Sequence, residues 1–314
     1  MDEGQIARRP RWLRVVSGSI LVVVPLTVTA TTWSALVANR PSYPLALVVS
    51  LLLGVWLMVS GLRATTSPKP GSTRTILRVL STAAAVGLAV ILLWLRPMLA
   101  TPTAIDALHS DDKVTVTDTW WETTYEPTTP PSAALVFYPG ARVDPRAYAP
   151  LARAVAEHGY RVIVPKCPLD LALLCTSAAD NYVTEDIPWA VGGHSLGGVE
   201  ASKYAAASNT VDGLVLWGAW PLTDLSNRGE LLVASISGSE DGLSTPQKID
   251  AHRDLLPPTT TFTEIQGSIH SYFGDYGQQA GDGQATIGRE AAQEQIVAAT
   301  VDLLDQISRP TTAK

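Results

Sequence analysis

Residues 188–207 read PWAVGGHSLGGVEASKYAAA, and the way this stretch folds decides the rest of the chain. Its first part is a short apolar run ending in two glycines, which reads as a buried strand. Its last part, from Gly198, has the composition and period of a helix. Between them, Gly193-His194-Ser195-Leu196-Gly197 matches G-x-S-x-G, the pattern of a nucleophile elbow in which a strand turns sharply into a helix. The serine then occupies a strained turn, and a side chain two residues to either side would collide with the neighbouring helix or strand. A plain glycine-rich turn of an α/β sheet is the competing reading. The strand before the motif and the helix after it favour the elbow.

Working outward, the flanking segments repeat the same alternation. Ala133 to Tyr138 (AALVFY) is a continuous apolar run closed by Pro139-Gly140. PRAYAPLARAVAEHG follows, with Pro145 suited to a helix start and Gly159 to its end. YRVIVP, VDGLVLWGAW, LLVASISG and TTFTEIQG read as further strands. LDLALLCTSAADNYV (169–183), PQKIDAHRDLL (246–256) and REAAQEQIVAATVDLLDQI (289–307) read as helices. KVTVTDTWWETTYEP (113–127) alternates and reads as one or two edge strands. Short apolar strands alternating with helices predict a mostly parallel sheet covered on both faces, with little room for a lid.

The first hundred residues differ in kind. Three uncharged runs, Val15–Asn39, Pro41–Leu62 and Val79–Leu95, are each long enough, or nearly so, to cross a bilayer, which needs about 20 apolar residues. A cleaved leader is the competing reading of the first run, but its length and the two runs after it favour membrane helices. The expected division is therefore a membrane region at 1–100, a polar linker at 101–112 and a globular domain at 113–314. Basic residues cluster before the first run (Arg8, Arg9, Arg11, Arg14) and between the second and third (Arg63, Lys69, Arg74, Arg78). Only Arg40 lies between the first and second, and Asp106, Asp111 and Asp112 follow the third. The positive-inside rule then places the N-terminus in the cytoplasm and the globular domain outside it. The chain carries 23 Lys and Arg against 29 Asp and Glu. No basic stripe crosses the globular part, so nucleic acid is not an expected partner.

A serine needs a base, and in the elbow arrangement the order along the chain is serine, acid, histidine. Of the five histidines, only His252 and His270 follow Ser195. His252 lies within a polar helix. His270 lies in GSIHSYFG, just past the last strand, where an imidazole can reach over the elbow. For the acid, Asp241 in SGSEDG follows the strand LLVASI. Asp224 in PLTDLS is its competitor and Glu240 a third choice. The oxyanion donors expected are the backbone N–H of Leu196 and that of Ala141 in the loop after LVFYPG, with Gly140 next; Pro139 has no N–H. Two cysteines, Cys167 and Cys175, show no metal-ligand spacing. They fit either two buried thiols or a disulfide locking Pro168 to Leu174, although a helical path between them would hold them apart. Asp275 and Asp282 lie in glycine-rich turns, where capping is expected ahead of cation binding. Trp120, Trp121, Trp217 and Trp220 are candidates for core packing or for a pocket lining.

Four segments together, FYPGARVDPRAYAPLARAVAEHGY, GGHSLGG, SGSEDGLSTPQKI and HSYFGDYGQQAGDGQATIGREAAQEQI, resemble a bacterial branch of the α/β-hydrolases. This branch is of the dienelactone-hydrolase-like or carboxylesterase-like kind, with an FGDYG segment after the histidine. The resemblance spans about residues 115 to 308 and leaves out the three apolar runs. It implies an α/β-hydrolase fold and a triad of Ser195, Asp241 and His270. This chain departs from the family in carrying Cys167 and Cys175 where hydrophobic residues are usual. The expectation is a membrane-anchored serine hydrolase that cleaves an ester or thioester through an acyl-enzyme on Ser195, needs no cofactor and holds no metal. A small-molecule or lipid-like ester is the expected substrate and the bilayer the expected partner. Acyl transfer to an envelope glycan or lipid, and a non-catalytic binding module on the same fold, are the alternatives.

Overall fold

The computed structural model describes residues 11–63 and 72–309. Arg8, Arg9 and Lys69 of the basic clusters lie outside the described residues. The chain forms two compact units, Met1–Val37 with Pro41–Arg96, and Ala38–Arg40 with Pro97–Lys314.

In the first unit the three apolar runs are helices α1 (Trp12–Ala38), α2 (Ser42–Leu62) and α3 (Ser72–Trp94). Each is long and apolar enough to cross a membrane, the third over Thr75–Trp94. Pro25 lies inside α1, and Thr32 departs from helical dihedrals at φ −133°. Small residues let α1 and α2 approach closely: a Cβ on Gly54 would lie 2.8 Å from the Gly18 carbonyl oxygen. Close backbone packing of this kind takes the place of hydrophobic burial where the surroundings are themselves apolar. The Ser50 hydroxyl donates to the Leu21 carbonyl and the Tyr43 hydroxyl to that of Leu92, so the helices also share polar contacts.

The second unit is built on an eight-stranded sheet. After the short helix α4 (Pro102–Asp106), which lies within the stretch expected as a linker, come β1 (Val114–Asp118), β2 (Glu122–Pro127) and β3 (Ala134–Tyr138). A 3-10 turn at Pro145–Tyr148 leads into α5 (Ala149–Glu157), and β4 (Arg161–Pro165) follows. Then come β5 (Trp189–His194), α6 (Leu196–Ala207), β6 (Gly213–Trp217), β7 (Leu232–Gly238), α7 (Pro246–Asp250), β8 (Thr261–Ile265) and α8 (Arg289–Ser308). The strand order is β1-β2-β4-β3-β5-β6-β7-β8. Strands β3 to β8 pair in parallel, and β1 and β2 join antiparallel at one edge.

The apolar runs of the central strands follow from burial on both faces. Leu135 and Phe137 of β3 pack into a core with residues of α5 and α8, while Ala134, Val136 and Tyr138 point into a second core with residues of α6. Helical period misled in two places. Residues 169–183 are not a helix but part of a run of 3-10 turns at Pro168–Asp170, Ala172–Leu174 and Thr176–Asn181. Left-handed backbone at Leu169 (φ 57°) and Asp170 (φ 52°) breaks any α-helical path, and a Cys167–Cys175 disulfide closes the loop across a Cα separation of 5.6 Å. The stretch 246–256 divides into α7 and a 3-10 turn at Arg253–Leu255.

One polar bond ties the sheet to α8 beneath the site. The buried Trp217 indole N–H donates to the Thr300 hydroxyl at 3.0 Å, which donates to the Ile296 carbonyl. Thr300→Val keeps the shape and removes the acceptor, which orphans a buried donor at a cost of about 1–3 kcal/mol. At about 2–4 °C per kcal/mol for a unit of this size, the melting temperature falls by several degrees. Thermal denaturation of the full chain in detergent checks this, and an unchanged midpoint would show that the bond contributes nothing.

Candidate active site

Ser195 is the single residue between β5 and α6, with φ 53° and ψ −121°. Its N–H donates to the Trp217 carbonyl of the neighbouring strand at 3.0 Å, which pins the turn. The flanking glycines meet the expected constraint. A Cβ on Gly197 would lie 2.0 Å from the Tyr138 carbonyl oxygen, and one on Gly193 would lie 2.3 Å from the Gly197 carbonyl carbon. The helix start therefore presses directly on the ends of β3 and β5, and Ser195 is left partly exposed above them.

Asp241 lies in the turn after β7 and is buried, as is His270, in the 3-10 turn after β8. The Asp241 Oδ2 accepts from His270 Nδ1 at 2.8 Å, and its Oδ1 accepts the N–H groups of Leu243 and Ser244 at 2.8 and 2.6 Å. The carboxylate is thus held on both oxygens, and the imidazole has a fixed orientation. With Nδ1 donating, Nε2 carries the free lone pair. It is buried and has no hydrogen-bond partner, so Ser195 and His270 are not directly bonded in this structure. Catalytic hydrogen bonds are often long in empty sites and tighten around substrate.

The competing residues lie elsewhere. Asp224 is exposed; its carboxylate accepts the Ser226 N–H at 2.9 Å, and hydrogen bonds from Ser226 hold its pKa below the usual carboxylate value. Glu240 is exposed and accepts from the Ser239 hydroxyl. His252 bonds through Nδ1 to the Lys248 carbonyl and stacks on Trp220 with ring centroids 5.4 Å apart. Trp217 is core, whereas Trp120 and Trp121 are exposed at the β1–β2 turn.

Three further contributors carry no motif. The first is Tyr148, whose hydroxyl accepts the Gly140 N–H at 2.8 Å and meets His194 Nδ1 at 2.9 Å. The Tyr148 oxygen thus links the Gly140 N–H to the His194 ring. Burial, and then the nearby His270, push the His194 pKa well below the usual histidine value. The His194 ring packs on His270 at 4.4 Å between centroids. The second is Asp282, whose carboxylate accepts the N–H groups of His270 and Ser271 at 3.0 and 2.8 Å and that of Gly242 at 3.4 Å. It staples the histidine turn to the acid turn. Asp275 accepts from the Thr101 hydroxyl at 2.7 Å. Among the described residues, no three His, Cys, Asp or Glu side chains gather as a cation site. The third is Gly218, with φ 49°, where a Cβ would lie 3.2 Å from both Asp241 Oδ2 and His270 Nδ1. Tyr148 and Gly218 are invisible as site residues in sequence because their roles arise only from tertiary packing.

The candidate oxyanion N–H groups differ in their engagement. Gly140 is occupied by Tyr148, whereas the N–H groups of Ala141 and Leu196 have no acceptor among the described residues. Both residues are partly exposed. Asp170, in the disulfide loop, is buried, and burial followed by the charge of Asp144 pushes its pKa up to about 8.

No curated protein matches the chain. Among solved structures, the chain is similar to the esterase domain of a Rhodothermus marinus protein (12% identity, covering 60% of this chain and 93% of that one, TM-score 0.45). It is also similar to TT1662 from Thermus thermophilus (12% identity, 63% and 99%, TM-score 0.45). A candidate dienelactone hydrolase from Klebsiella pneumoniae subsp. pneumoniae MGH 78578 is a third (16% identity, 59% and 92%, TM-score 0.42). The model of the Alpha/beta hydrolase family matches residues 134–294, more than half of the chain and the whole stretch from β3 to the start of α8. The elbow, the parallel sheet and this match agree: the chain belongs to the α/β hydrolase family.

Proposed function

We propose that this chain is a membrane-anchored serine hydrolase that cleaves an ester or thioester through an acyl-enzyme on Ser195. The observation that carries the reading is the buried Asp241–His270 pair, which leaves one imidazole nitrogen free on a ring packed against His194, the residue before Ser195. In this reading Ser195 Oγ attacks the substrate carbonyl carbon while His270 Nε2 takes its proton. The carbonyl oxygen becomes an oxyanion that accepts the Leu196 and Ala141 N–H groups. Collapse expels the alcohol or thiol, which receives the proton from His270. Water then repeats the sequence on the acyl-enzyme and restores Ser195. Asp241 keeps Nδ1 protonated and stabilises the imidazolium. The substrate is a small-molecule or lipid-like ester. Three apolar helices support membrane anchoring, and Arg11 before α1 and Arg14 in its first turn support a cytoplasmic N-terminus with the hydrolase unit outside. The Cys167–Cys175 bridge fits that side, where disulfides persist.

Fluorophosphonate labelling of the full chain in detergent tests the activated serine. Stoichiometric adduct on Ser195 is expected, and its absence from folded protein would favour the non-catalytic reading. Ser195→Ala and His270→Ala reduce turnover of an aryl ester by several orders of magnitude, and Asp241→Asn by somewhat less, of the order of 10⁴-fold. Asp224→Asn leaves turnover within two-fold; a crippled Asp224→Asn with a silent Asp241→Asn would reassign the acid.

Gly218→Ala puts a methyl group against the Asp241–His270 pair and strains a left-handed backbone. It lowers kcat with little change in KM, and wild-type kcat would remove Gly218 from the site. An alkaline phosphatase fused after Lys314 is active if the C-terminus is exported, whereas an active cytoplasmic reporter at that point would reverse the topology.

A further inference from the structure

The loop closed by Cys167 and Cys175 touches the candidate oxyanion loop at one point. The Asp170 carbonyl oxygen accepts the Arg142 N–H at 2.7 Å, directly after Ala141. Arg142 itself is left-handed, with φ 61°, and so are Leu169 and Asp170 on the other side of that bond. Such backbone costs a non-glycine residue about 1–3 kcal/mol and persists only where its surroundings over-determine it. The oxyanion loop is gripped from its other side as well: the Met98 N–H donates to the Arg142 carbonyl at 2.7 Å, and the Asp144 N–H donates to the Met98 carbonyl at 2.9 Å.

The disulfide loop is anchored where it ends. The Asp170 N–H donates to the Cys167 carbonyl at 3.1 Å, which tightens the first turn around the buried Cys167. Beyond Cys175, the Tyr138 hydroxyl at the end of β3 donates to the Thr176 carbonyl at 2.6 Å, and the Thr176 hydroxyl donates to Glu200 of α6 at 2.5 Å. Between these anchors residues 168–174 run through short 3-10 turns, with Ala172 packed into the core beside α6, and the S–S bond closes the loop.

We propose that the Cys167–Cys175 loop is a positioning element for the oxyanion hole: the bridge holds the Asp170 carbonyl under Arg142 and so aims the Ala141 N–H at the site above Ser195. This rests on the serine-hydrolase reading for its catalytic consequence, but not for the backbone contact itself. Reduction by a dithiol breaks the S–S bond; its two electrons and two protons give two cysteine thiols, and the dithiol closes to its own disulfide. Cys175 is partly exposed and admits the reductant. Loss of an oxyanion donor costs about 10²–10³-fold in kcat, and a donor loosened rather than removed costs about ten-fold or more.

The test compares oxidised and dithiol-reduced full chain in detergent, with mass spectrometry confirming two free thiols, together with Cys167→Ser/Cys175→Ser. Expected are a kcat lowered about ten-fold with KM within two-fold, recovery on reoxidation, and faster amide exchange at residues 140–143 while β5 stays protected. Unchanged kcat and unchanged exchange on verified reduction would overturn the proposal. So would loss of protection in β5, which would make the bridge a general staple. Amide exchange is repeated on Ser195→Ala, where it needs no activity. Faster exchange at 140–143 in a protein whose wild type neither labels nor turns over would sustain the backbone contact and sink the hydrolase reading alone.

Discussion

A side chain on Gly197 would put its Cβ 2.0 Å from the Tyr138 carbonyl oxygen, inside any tolerable contact. This approach fixes the site. It lets the first turn of α6 sit on the ends of β3 and β5, which places Ser195 and the Leu196 N–H over the carboxyl edge of the sheet. The same edge presents the loop after β3 and the turns after β7 and β8, because parallel strands all deliver their C-terminal ends to one side. A serine, an acid, a histidine and two candidate N–H donors come together there from four separate stretches of chain. None is brought by a helix interior, and each depends on a strand packed between two cores.

The electrostatics of the pair depend on a second imidazole. His194 packs on His270, and a charge on it would oppose one on its neighbour. Burial, and then His270 itself, push the His194 pKa well below the usual histidine value. Tyr148 engages His194 Nδ1 while its oxygen accepts from Gly140, which takes the Gly140 N–H out of the candidate oxyanion hole and leaves Ala141 free for that role. Burial of Tyr148 holds its hydroxyl protonated.

How far the sequence carried follows from which constraints are local. The elbow was legible because Gly193 and Gly197 are required by contacts within one strand-turn-helix, and the apolar runs because each must supply a whole strand or a whole membrane helix. The pairing of His270 with Asp241 was legible from order and position: His252 was the one other histidine after Ser195, and the turn after LLVASI favoured Asp241 over Asp224 and Glu240. Residues 169–183 were not. Their apolar spacing suits a helix, and only the bridge between Cys167 and Cys175 and the left-handed pair at 169 and 170 say otherwise. Sequence offers no sign of positive φ at Leu169, and Asp170, though aspartate tolerates that region, stands in an apolar run that reads as helix. Tyr148 and Gly218 escaped for a different reason: His194 lies 46 residues from Tyr148, and Asp241 and His270 lie at least 23 from Gly218, so no spacing pattern contains these contacts.

Among the described residues the non-glycine positions with positive φ are Arg142, Leu169, Asp170 and Ser195. They come from the turns after β3, β4 and β5, three strands adjacent in the sheet. Strain of this kind persists where surrounding structure over-determines it, and it collects at functional sites. Here the surrounding structure can be named for each. Ser195 is held by its bond to Trp217 and by the two glycines. Arg142 is held between Met98 and Asp170. Leu169 and Asp170 lie in the loop closed by the Cys167–Cys175 bridge. The first two of these restraints are packing and hydrogen bonds that form with the fold. The bridge is the exception, since it is a covalent bond whose state depends on the redox conditions around the protein. The loop carrying the Ala141 N–H is therefore shaped partly by the fold and partly by the compartment in which the domain resides.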